Sequence, residues 1–312
     1  MNLKSKILTG IFAMTMVLTS CGSGSNDADS NTATENSGSE TTQEETTTDE
    51  NASAGGAISV VSREDGSGTR GAFIELTGLL EKNGDEEKDL TSTEASVQNT
   101  TNGVMTTVAQ DKRAIGYISL GSLNDTVKAV KVDGVEANEA NVESGEYKLF
   151  RPFNLAYKEG EITDLGKDFL KFIQSPDGQK IVEENGYVKV EAGDEYKASG
   201  MKGTLKVAGS TSVSPVMEKF IEAYQQLNPD AQIEMQSIGS TEGINTTLDG
   251  ASEIAMASRE LKPEELEQLK PVVIANDGIA VVVNPENSVE DLTMDQIASI
   301  FKGEIKDWGE LK

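Results

Sequence analysis

The sequence predicts an α/β protein with largely parallel sheets, and three observations lead to that prediction. Short apolar runs of strand length alternate with segments whose apolar residues recur at helical spacing, from residue 57 to the end of the 312-residue chain. Several of these strands run into loops of Gly, Ser and Thr that precede a helix. The residues before 57 show neither pattern. Because ligands bind beyond the carboxyl ends of parallel strands, we expect a site where these loops collect.

The first 21 residues have the pattern of a lipoprotein signal peptide. Lys4 and Lys6 precede an apolar run over residues 7–18, and Cys21, the one cysteine of the sequence, follows small residues. The apolar run is too short to span a membrane comfortably, and its ending resembles a bacterial lipobox. We predict that Cys21 becomes the lipidated N-terminus of the mature protein; the alternatives are an uncleaved anchor or an incidental thiol. A lipidated Cys21 excludes disulfides and thiol catalysis.

Residues 22–56 predict a disordered, acidic tether. This stretch holds eight acidic residues, no basic residue and almost no apolar one, so it cannot bury enough surface to offset the entropy of ordering. The whole sequence has 53 acidic and 27 basic residues, a formal net charge of −26. Such a charge argues against nucleic acid or an anionic membrane surface as a partner. If an anion binds, local amide dipoles must hold it against the overall field.

Residues 57–80 predict a strand, a loop and a helix with the features of an anion site. The loop contains Ser67, Gly68 and Thr69, and a helix that begins there presents unpaired N–H groups at its positive end. The hydroxyls of Ser67 and Thr69 add donors, and Arg63 can clasp two oxygens at once. The alternative is a turn that merely caps its own helix. The spacing of a nucleotide P-loop is absent.

The next stretch continues the alternation of strands and helices. The pattern predicts charged turns over 81–94, a helix over 97–108 interrupted near Asn102-Gly103, a buried strand over 114–120, an alternating strand over 127–132 with a turn at Asp133-Gly134, an extended segment over 147–157, and helices that begin at Thr163 and Ser175-Pro176.

After a polar connector over 191–203, the pattern of strand, hydroxyl-rich loop and helix recurs. It predicts a strand over 204–208, the loop 209–214 and a helix from Pro215; a strand over 231–236, the loop 237–243 and a helix from Ile244; a strand over 253–257 that ends at Ser258-Arg259; a surface helix from Lys262; strands over 272–275 and 278–283 on either side of Asp277; and a helix with a capping box at Thr293. Three loops of this kind in one chain predict helix N-termini that converge on an oxyanion.

The residue types argue against an enzyme. The sequence contains no His, its only Cys is assigned to lipidation, and no acidic cluster has metal-ligand spacing, so we expect no catalysis, no metal and no cofactor. The aromatic residues Phe73, Tyr117, Phe301 and Trp308 are expected in the core rather than against a ligand.

These loops resemble those of the phosphate-binding lipoproteins of bacterial phosphate-specific ABC transporters. Residues 62–70 resemble the second-lobe phosphate loop of that family, residues 209–215 resemble its first-lobe loop, and residues 239–241 resemble its next contact. The resemblance implies a type II-like periplasmic-binding-protein fold of two lobes, on the extracytoplasmic face of the cell membrane. It implies a monomer that captures inorganic phosphate and delivers it to a permease. A phosphate-sensing or surface interaction lipoprotein, or a binder of another tetrahedral oxyanion, is the alternative.

The order of the two loops is reversed relative to that family, which predicts a circular permutation; a truncated tandem repeat is the alternative. Permutation places Ala57 close to Lys312 and makes the connector 191–203 join what are elsewhere free termini. The resemblance then implies a second lobe of residues 57–150 plus 279–312 and a first lobe of residues 151–278. The chain would pass from one lobe to the other near residues 150–157 and 277–283, and these two segments would act as the hinge.

The resemblance also implies roles for individual residues. The second lobe contributes Arg63, Ser67, Gly68 and Thr69 to phosphate binding, and the first lobe contributes Thr211, Ser212 and Ser240. At Ser258, next to Arg259, the family commonly has an Asp that accepts the proton of phosphate and so rejects sulfate. We expect Asp65 to orient Arg63. Asp65 and Asp277 are substitute candidates for the missing acceptor, although Asp277 could equally be a turn residue or a helix cap.

Overall fold

The structure is a computed structural model, which describes residues 56–84 and 86–311. The predicted signal peptide, with Cys21, and all of the predicted tether except Gly56 lie outside these residues. The strands are β1 (Ser59–Arg63), β2 (Leu80–Asn83), β3 (Glu86–Asp89), β4 (Ser96–Gln98), β5 (Ala114–Ser119), β6 (Lys128–Ala129), β7 (Lys131–Val132), β8 (Phe150–Tyr157), β9 (Gly203–Gly209), β10 (Ala231–Ser237), β11 (Ile254–Ala257), β12 (Lys270–Val283) and β13 (Asp291–Leu292). The α-helices are α1 (Gly68–Leu76), α2 (Thr101–Gln110), α3 (Glu139–Glu143), α4 (Asp164–Gln174), α5 (Pro176–Glu184), α6 (Ser214–Leu227), α7 (Ser240–Leu248), α8 (Pro263–Leu266) and α9 (Met294–Lys302), with short 3-10 turns at Leu120–Ser122 and Trp308–Glu310.

The large sheet is mixed rather than largely parallel. Its strand order is β10-β9-β11-β8-β12-β5-β1-β4, with β6 paired to β12. Towards the two edges the pairs are parallel: β9 with β10 and β11, and β1 with β4 and β5. In the middle, β8 pairs antiparallel with β11 and β12, and β12 pairs antiparallel with β5. The prediction of α/β architecture is therefore confirmed, whereas the central strands depart from the expected direction.

One long strand, β12, runs through both parts of this sheet. Residues 270–278 pair with β8, and residues 279–283 pair with β5. The sequence predicted two strands flanking Asp277, and it left that residue open between a proton acceptor for the ligand and a turn residue or helix cap. The break between two strands and the turn or cap are wrong, because Asp277 lies inside one strand, directly opposite Arg151 of β8 in the ladder. An opposite charge at the facing position lets an acidic residue stay within a buried strand.

The buried apolar residues of the described chain form separate clusters, and residues of β12 belong to both of the larger ones. The largest draws on residues 153–275 and includes Phe169 and Phe220. Another draws on residues 72–149 and 279–308. The ring of Phe73 stacks on that of Tyr117 at 3.9 Å between centroids, and Phe301 packs edge-on against Phe73. Trp308 is buried as well, with 5% of its surface exposed. The prediction that Phe73, Tyr117, Phe301 and Trp308 are core residues is therefore confirmed.

The beginning of the described fold pairs with the end of the chain. Ile58 N donates to Lys306 O at 2.7 Å, Trp308 N donates to Gly56 O at 3.1 Å, and Ala57 forms a bridge with Asp307. Lys312 itself lies outside the described residues. The juxtaposition is the geometry that a circular permutation requires, and the permutation stays a prediction.

Two local expectations were wrong. Residues 81–94 include the antiparallel ribbon β2–β3, whose exposed faces carry ion pairs such as Lys82 Nζ to Glu87 at 3.4 Å, so no apolar pattern marks it. Val97 lies in β4 rather than in a helix, and α2 continues through Gly103. No helix in the described part of the chain combines the length and the hydropathy needed to cross a membrane.

Candidate oxyanion-binding site

Four helix N-termini meet at the carboxyl ends of four strands. Helix α1 follows β1, α2 follows β4, α6 follows β9 and α7 follows β10. Two of these starts are capped by their own hydroxyls: Ser67 accepts from Arg70 N in α1, and Thr100 accepts from Gly103 N in α2. Helix α7 instead begins after Gly239, whose φ of 94° suits glycine. The first N–H groups of each helix lack intrahelical acceptors and favour an anion nearby.

Arg63 lies in the middle of this cluster and reaches across it. Its side chain is 2% exposed, and Nη2 donates to Thr211 Oγ1 at 3.0 Å. Nε and Nη2 also bond to the two carboxylate oxygens of Glu64, each at 2.8 Å. The prediction that Asp65 orients Arg63 is therefore wrong. Asp65 is 96% exposed and pairs with Arg70 Nη1 at 2.9 Å, because the turn directs its side chain outward; this position does not fit a buried proton acceptor either.

Three hydroxyls form a second contact between these loops. Thr69 Oγ1 lies 2.8 Å from Ser212 Oγ. Thr101 Oγ1, at the start of α2, lies 3.2 Å from the same oxygen of Ser212 and 3.4 Å from Thr211 Oγ1. Thr69, Thr101 and Ser212 are each no more than 4% exposed. A hydroxyl can donate to an oxyanion, so these groups offer donors from three helix starts at one place.

Gly68 lies against a third group of hydroxyls. A Cβ at this position would stand 2.4 Å from Ser240 Oγ and 2.7 Å from Ser258 Oγ, so only glycine fits. Ser240 Oγ accepts from Ser258 N at 3.2 Å, and Ser210 Oγ donates to Ser258 Oγ at 2.9 Å. The neighbouring Gly66 accepts from Thr241 N at 3.1 Å. The loop before α1 and the loop before α7 are thus in direct backbone contact.

Arg151 and Asp277 form a buried ion pair beside Thr69. Arg151 Nη2 lies 3.1 Å from Asp277 Oδ2 and donates to Thr69 Oγ1 at 3.0 Å. Asp277 Oδ1 accepts from Ser119 Oγ at 3.0 Å and from Gly121 N at 3.3 Å. Burial raises the pKa of Asp277 to about 6, although the charge of Arg151 and these hydrogen bonds oppose the rise. Burial likewise lowers the pKa of Arg151.

The remaining predicted residues lie at the edge of the cluster. Ser67 is 5% exposed and its hydroxyl caps α1, which is the alternative that the sequence left open. Arg259 bonds to both carboxylate oxygens of Glu265 at 2.8 Å, with Nη2 3.4 Å from Thr241 Oγ1. Burial pushes the pKa of Glu265 upward, but the hydrogen bonds from Arg259 and Lys262 N lower it overall. The Glu265 carboxylate therefore neutralises the positive charge of Arg259.

Sequence reasoning assigned no site role to four members of the cluster: Glu64, Thr101, Arg151 and Ser210. Glu64 and Ser210 nevertheless lie in the predicted loops 62–70 and 209–214. Thr101 carried a signal, since Thr100-Thr101 is a pair of hydroxyl residues that precedes a helical pattern, as in the other loops. Glu64 is adjacent to Arg63, which gave no reason to prefer it over Asp65. Arg151 lies in a strand far from the loops in sequence, and only the ladder with β12 brings it to Thr69.

The cluster offers many hydrogen-bond donors and few free hydrogen-bond acceptors, which suits the binding of a small oxyanion. Two carboxylates within the cluster, those of Glu64 and Asp277, are paired with Arg63 and Arg151. Among the described residues, no group of three or more His, Cys, Asp or Glu side chains could hold a metal ion.

The comparisons with known proteins agree with one another on the family. The family model of the PBP superfamily domain matches residues 2–177 and 195–311. Phosphate-binding protein PstS 2 of Streptococcus agalactiae is 49% identical over 263 residues, which are 84% of this chain and 90% of that protein. The crystal structure of a phosphate-binding protein of a phosphate ABC transporter from Streptococcus pneumoniae is 46% identical, with a TM-score of 0.67; the match covers 82% of this chain and 100% of that one. Phosphate-binding protein PstS of Bacillus subtilis is 36% identical over 120 residues, 38% of this chain and 39% of that protein.

Proposed function

This chain belongs to the PBP superfamily and, within it, to the family of the phosphate-binding PstS proteins, and from that premise we propose that it binds inorganic phosphate at the cluster of helix N-termini. As in a phosphate ABC transporter, the bound phosphate passes to a permease for import. The chain acts as a binding protein and not as an enzyme.

The observation that carries this proposal is the contact between loops that are distant in sequence. Arg63 meets Thr211 at 3.0 Å and Thr69 meets Ser212 at 2.8 Å. Hydroxyls and first-turn N–H groups donate to an anion in a buried place, where each hydrogen bond is stronger than in water. Because Glu64 neutralises Arg63, the donors rather than a net positive charge hold the oxyanion, which fits the strongly acidic chain.

Two lobes close around the ligand in this proposal. Residues 57–150 plus 279–312 form one lobe, residues 151–278 form the other, and β8 and β12 provide the crossings. The separate apolar clusters support the division, since they draw on the same two parts of the chain. Closure brings the hydroxyls of both lobes to the phosphate and excludes water.

Selection against sulfate relies on Ser258 instead of a carboxylate. Ser258 is 1% exposed, accepts from Ser210 Oγ and lies beside Gly68, so its oxygen is available within the cluster. A hydroxyl can accept the proton of phosphate yet repels a fully ionised oxyanion less than Asp does. We therefore expect rejection of sulfate that is weaker than a carboxylate acceptor provides.

The protein works as a monomer on the extracytoplasmic face of the membrane, held there by the lipid on Cys21. The signal pattern of residues 1–21 supports this part of the proposal. The acidic stretch 22–56 separates the lipid from the fold.

Isothermal titration of the purified protein with phosphate tests the function. We expect a stoichiometry of about one phosphate per chain and raised thermal stability with ligand, as mass action requires. Sulfate should bind more weakly, and Arg63→Ala should weaken phosphate binding by about tenfold or more, since it removes hydrogen bonds from a charged donor. No heat and no thermal shift with phosphate would show that the proposed function is wrong.

A further inference from the structure

The guanidinium of Arg151, beside Thr69, has N–H groups without a hydrogen-bond partner in the described chain. Only Nη2 is engaged, 3.0 Å from Thr69 Oγ1 and 3.1 Å from Asp277 Oδ2. Nε and Nη1 are buried and have no hydrogen-bond partner among the residues that the structure describes. By contrast, Arg63 and Arg259 each bond to both oxygens of one carboxylate. The guanidinium carbon of Arg151 also lies 5.4 Å from the centroid of the Phe153 ring, a contact that gives Nε and Nη1 no hydrogen-bond acceptor. A buried charge with unmade hydrogen bonds is costly, so Arg151 calls for a role.

Arg151 and Arg63 each donate a hydrogen bond to a threonine hydroxyl, in opposite directions between two parts of the chain. Arg63, from the part of the chain before residue 150, donates to Thr211 of the middle part. Arg151, from the middle part, donates to Thr69 of the earlier part. Each guanidinium therefore holds a threonine oxygen of the opposite part, and both threonines touch the same group of hydroxyls around Ser212.

This contact fixes the direction of a hydroxyl proton. An oxyanion only accepts hydrogen bonds, so a threonine that contacts it must donate. When Arg151 Nη2 occupies a lone pair of Thr69 Oγ1, the threonine proton is directed to its other neighbours, which are Ser212 and a bound anion. We propose that Arg151 is a positioning residue for phosphate binding, which holds the Thr69 hydroxyl as a donor to the oxyanion; this rests on the proposed function.

The location of Arg151 suits such a role. It lies in β8, and Asp277 faces it from β12, so strands rather than loops set its position. Ser119 and Gly121 in turn hold Asp277. The alternative is an ion pair that only fastens β8 to β12; such a pair would affect the free energy of unfolding but not the affinity for phosphate through Thr69.

A double-mutant cycle separates the two roles. Phosphate affinity is measured by titration calorimetry for the wild type, Arg151→Met, Thr69→Val and the double variant. Each single change should weaken binding by about tenfold, in the range for hydrogen bonds that involve a charged group. The double variant should be within about threefold of the weaker single variant, because both changes remove the same oriented donor. Additive losses, or an Arg151→Met variant that binds like the wild type, would overturn the proposal.

Two further variants keep the result interpretable. Tyr147→Phe removes a buried hydrogen bond to Ile279 O in β12, at 2.9 Å, and should lower stability without changing phosphate affinity. If Arg151→Met does not fold, the double change Arg151→Gln with Asp277→Asn removes both charges together, and it should show the same loss of affinity. A wild type that binds no phosphate overturns the proposed function, whereas wild-type binding that survives loss of Arg151 overturns this inference alone.

Discussion

Gly68 lies where the loop before α1 packs against Ser240 and Ser258. A Cβ there would meet Ser240 Oγ at 2.4 Å and Ser258 Oγ at 2.7 Å, and both serines are held by hydrogen bonds. Gly68→Ala should therefore prevent the loops from meeting and weaken phosphate binding by about a hundredfold, as expected when several hydrogen bonds are lost together. Calorimetric titration measures this loss.

Gly160 provides the matched control for that substitution. It lies in a turn where an added Cβ would have no atom within 4 Å, and its φ is not in the left-handed region. Gly160→Ala should leave the affinity unchanged. Equal affinities of the two alanine variants would mean that the loops do not need the close approach at Gly68.

Glu64 and Asp65 are adjacent acids with different expected effects. Glu64 holds the guanidinium of Arg63 with two bonds of 2.8 Å, whereas Asp65 is 96% exposed. Glu64→Gln removes the charged partner of a buried cation and should weaken phosphate binding by about tenfold, because Arg63 loses its fixed orientation. Asp65→Asn should change binding by less than about twofold, as for an exposed ion pair. Phosphate titrations of the two variants make the comparison, and a larger effect at Asp65 would contradict it.

At the scale of secondary structure, the elements were predictable wherever a local signal existed. Thr163 and Thr293 cap α4 and α9 as their spacing predicts, and the strand before each hydroxyl-rich loop is present. The site loops followed from the same signals, because a helix start needs donors and acceptors close in sequence. The β2–β3 ribbon was missed because its exposed, charged faces carry no apolar pattern. The unbroken β12 was missed because its pairing with the distant strands β5 and β8 decides its length and leaves no periodic pattern in the chain.

The pairing of β8 with β12 should depend on pH through Asp277. Burial raises its pKa from 3.8 to about 6, so the folded state binds a proton more tightly than the unfolded state does. The stability from this group is full below about pH 4 and is lost as pH rises through about 6. Asp277→Asn lacks the titrating group, so the wild type should lose on the order of 2–3 kcal/mol relative to the variant across this window.

Urea unfolding of both proteins at several values between pH 4 and 7 measures this difference. The carboxyls whose pKa is lowered, such as Asp89 and Glu265, change stability in the opposite sense, but they are common to both proteins and cancel. The sequence contains no His, so imidazole titration does not interfere. A difference that does not vary with pH would show that Asp277 does not take up a proton in this window.

At the scale of the whole molecule, a circular permutation would change the connections between the two halves and leave their packing unchanged. The start of the fold lies against its end, with Trp308 N donating to Gly56 O at 3.1 Å. The connector 191–203 is fastened to the fold, since Tyr196 Oη and Ser199 Oγ donate to Asp168 at 2.6 Å and 2.7 Å. The streptococcal relatives match nearly end to end, and the Bacillus protein matches over 38% of the chain, as a different order of halves would produce.

A reordered chain tests the permutation directly. The chain would begin at Met201, run to Leu311, pass through a flexible linker of about four residues and continue from Gly56 to Gly200. Because every contact of the site is kept and only a short loop closure changes, it should melt within about 5 °C of the original and bind phosphate within about threefold. A matched permutant opened inside β12, between Ala280 and Val281, should not fold, since both residues are fully buried in the central ladder. A Met201 permutant that fails to fold would mean that the present order is itself required, and that the two halves are not the interchangeable units that a permutation implies.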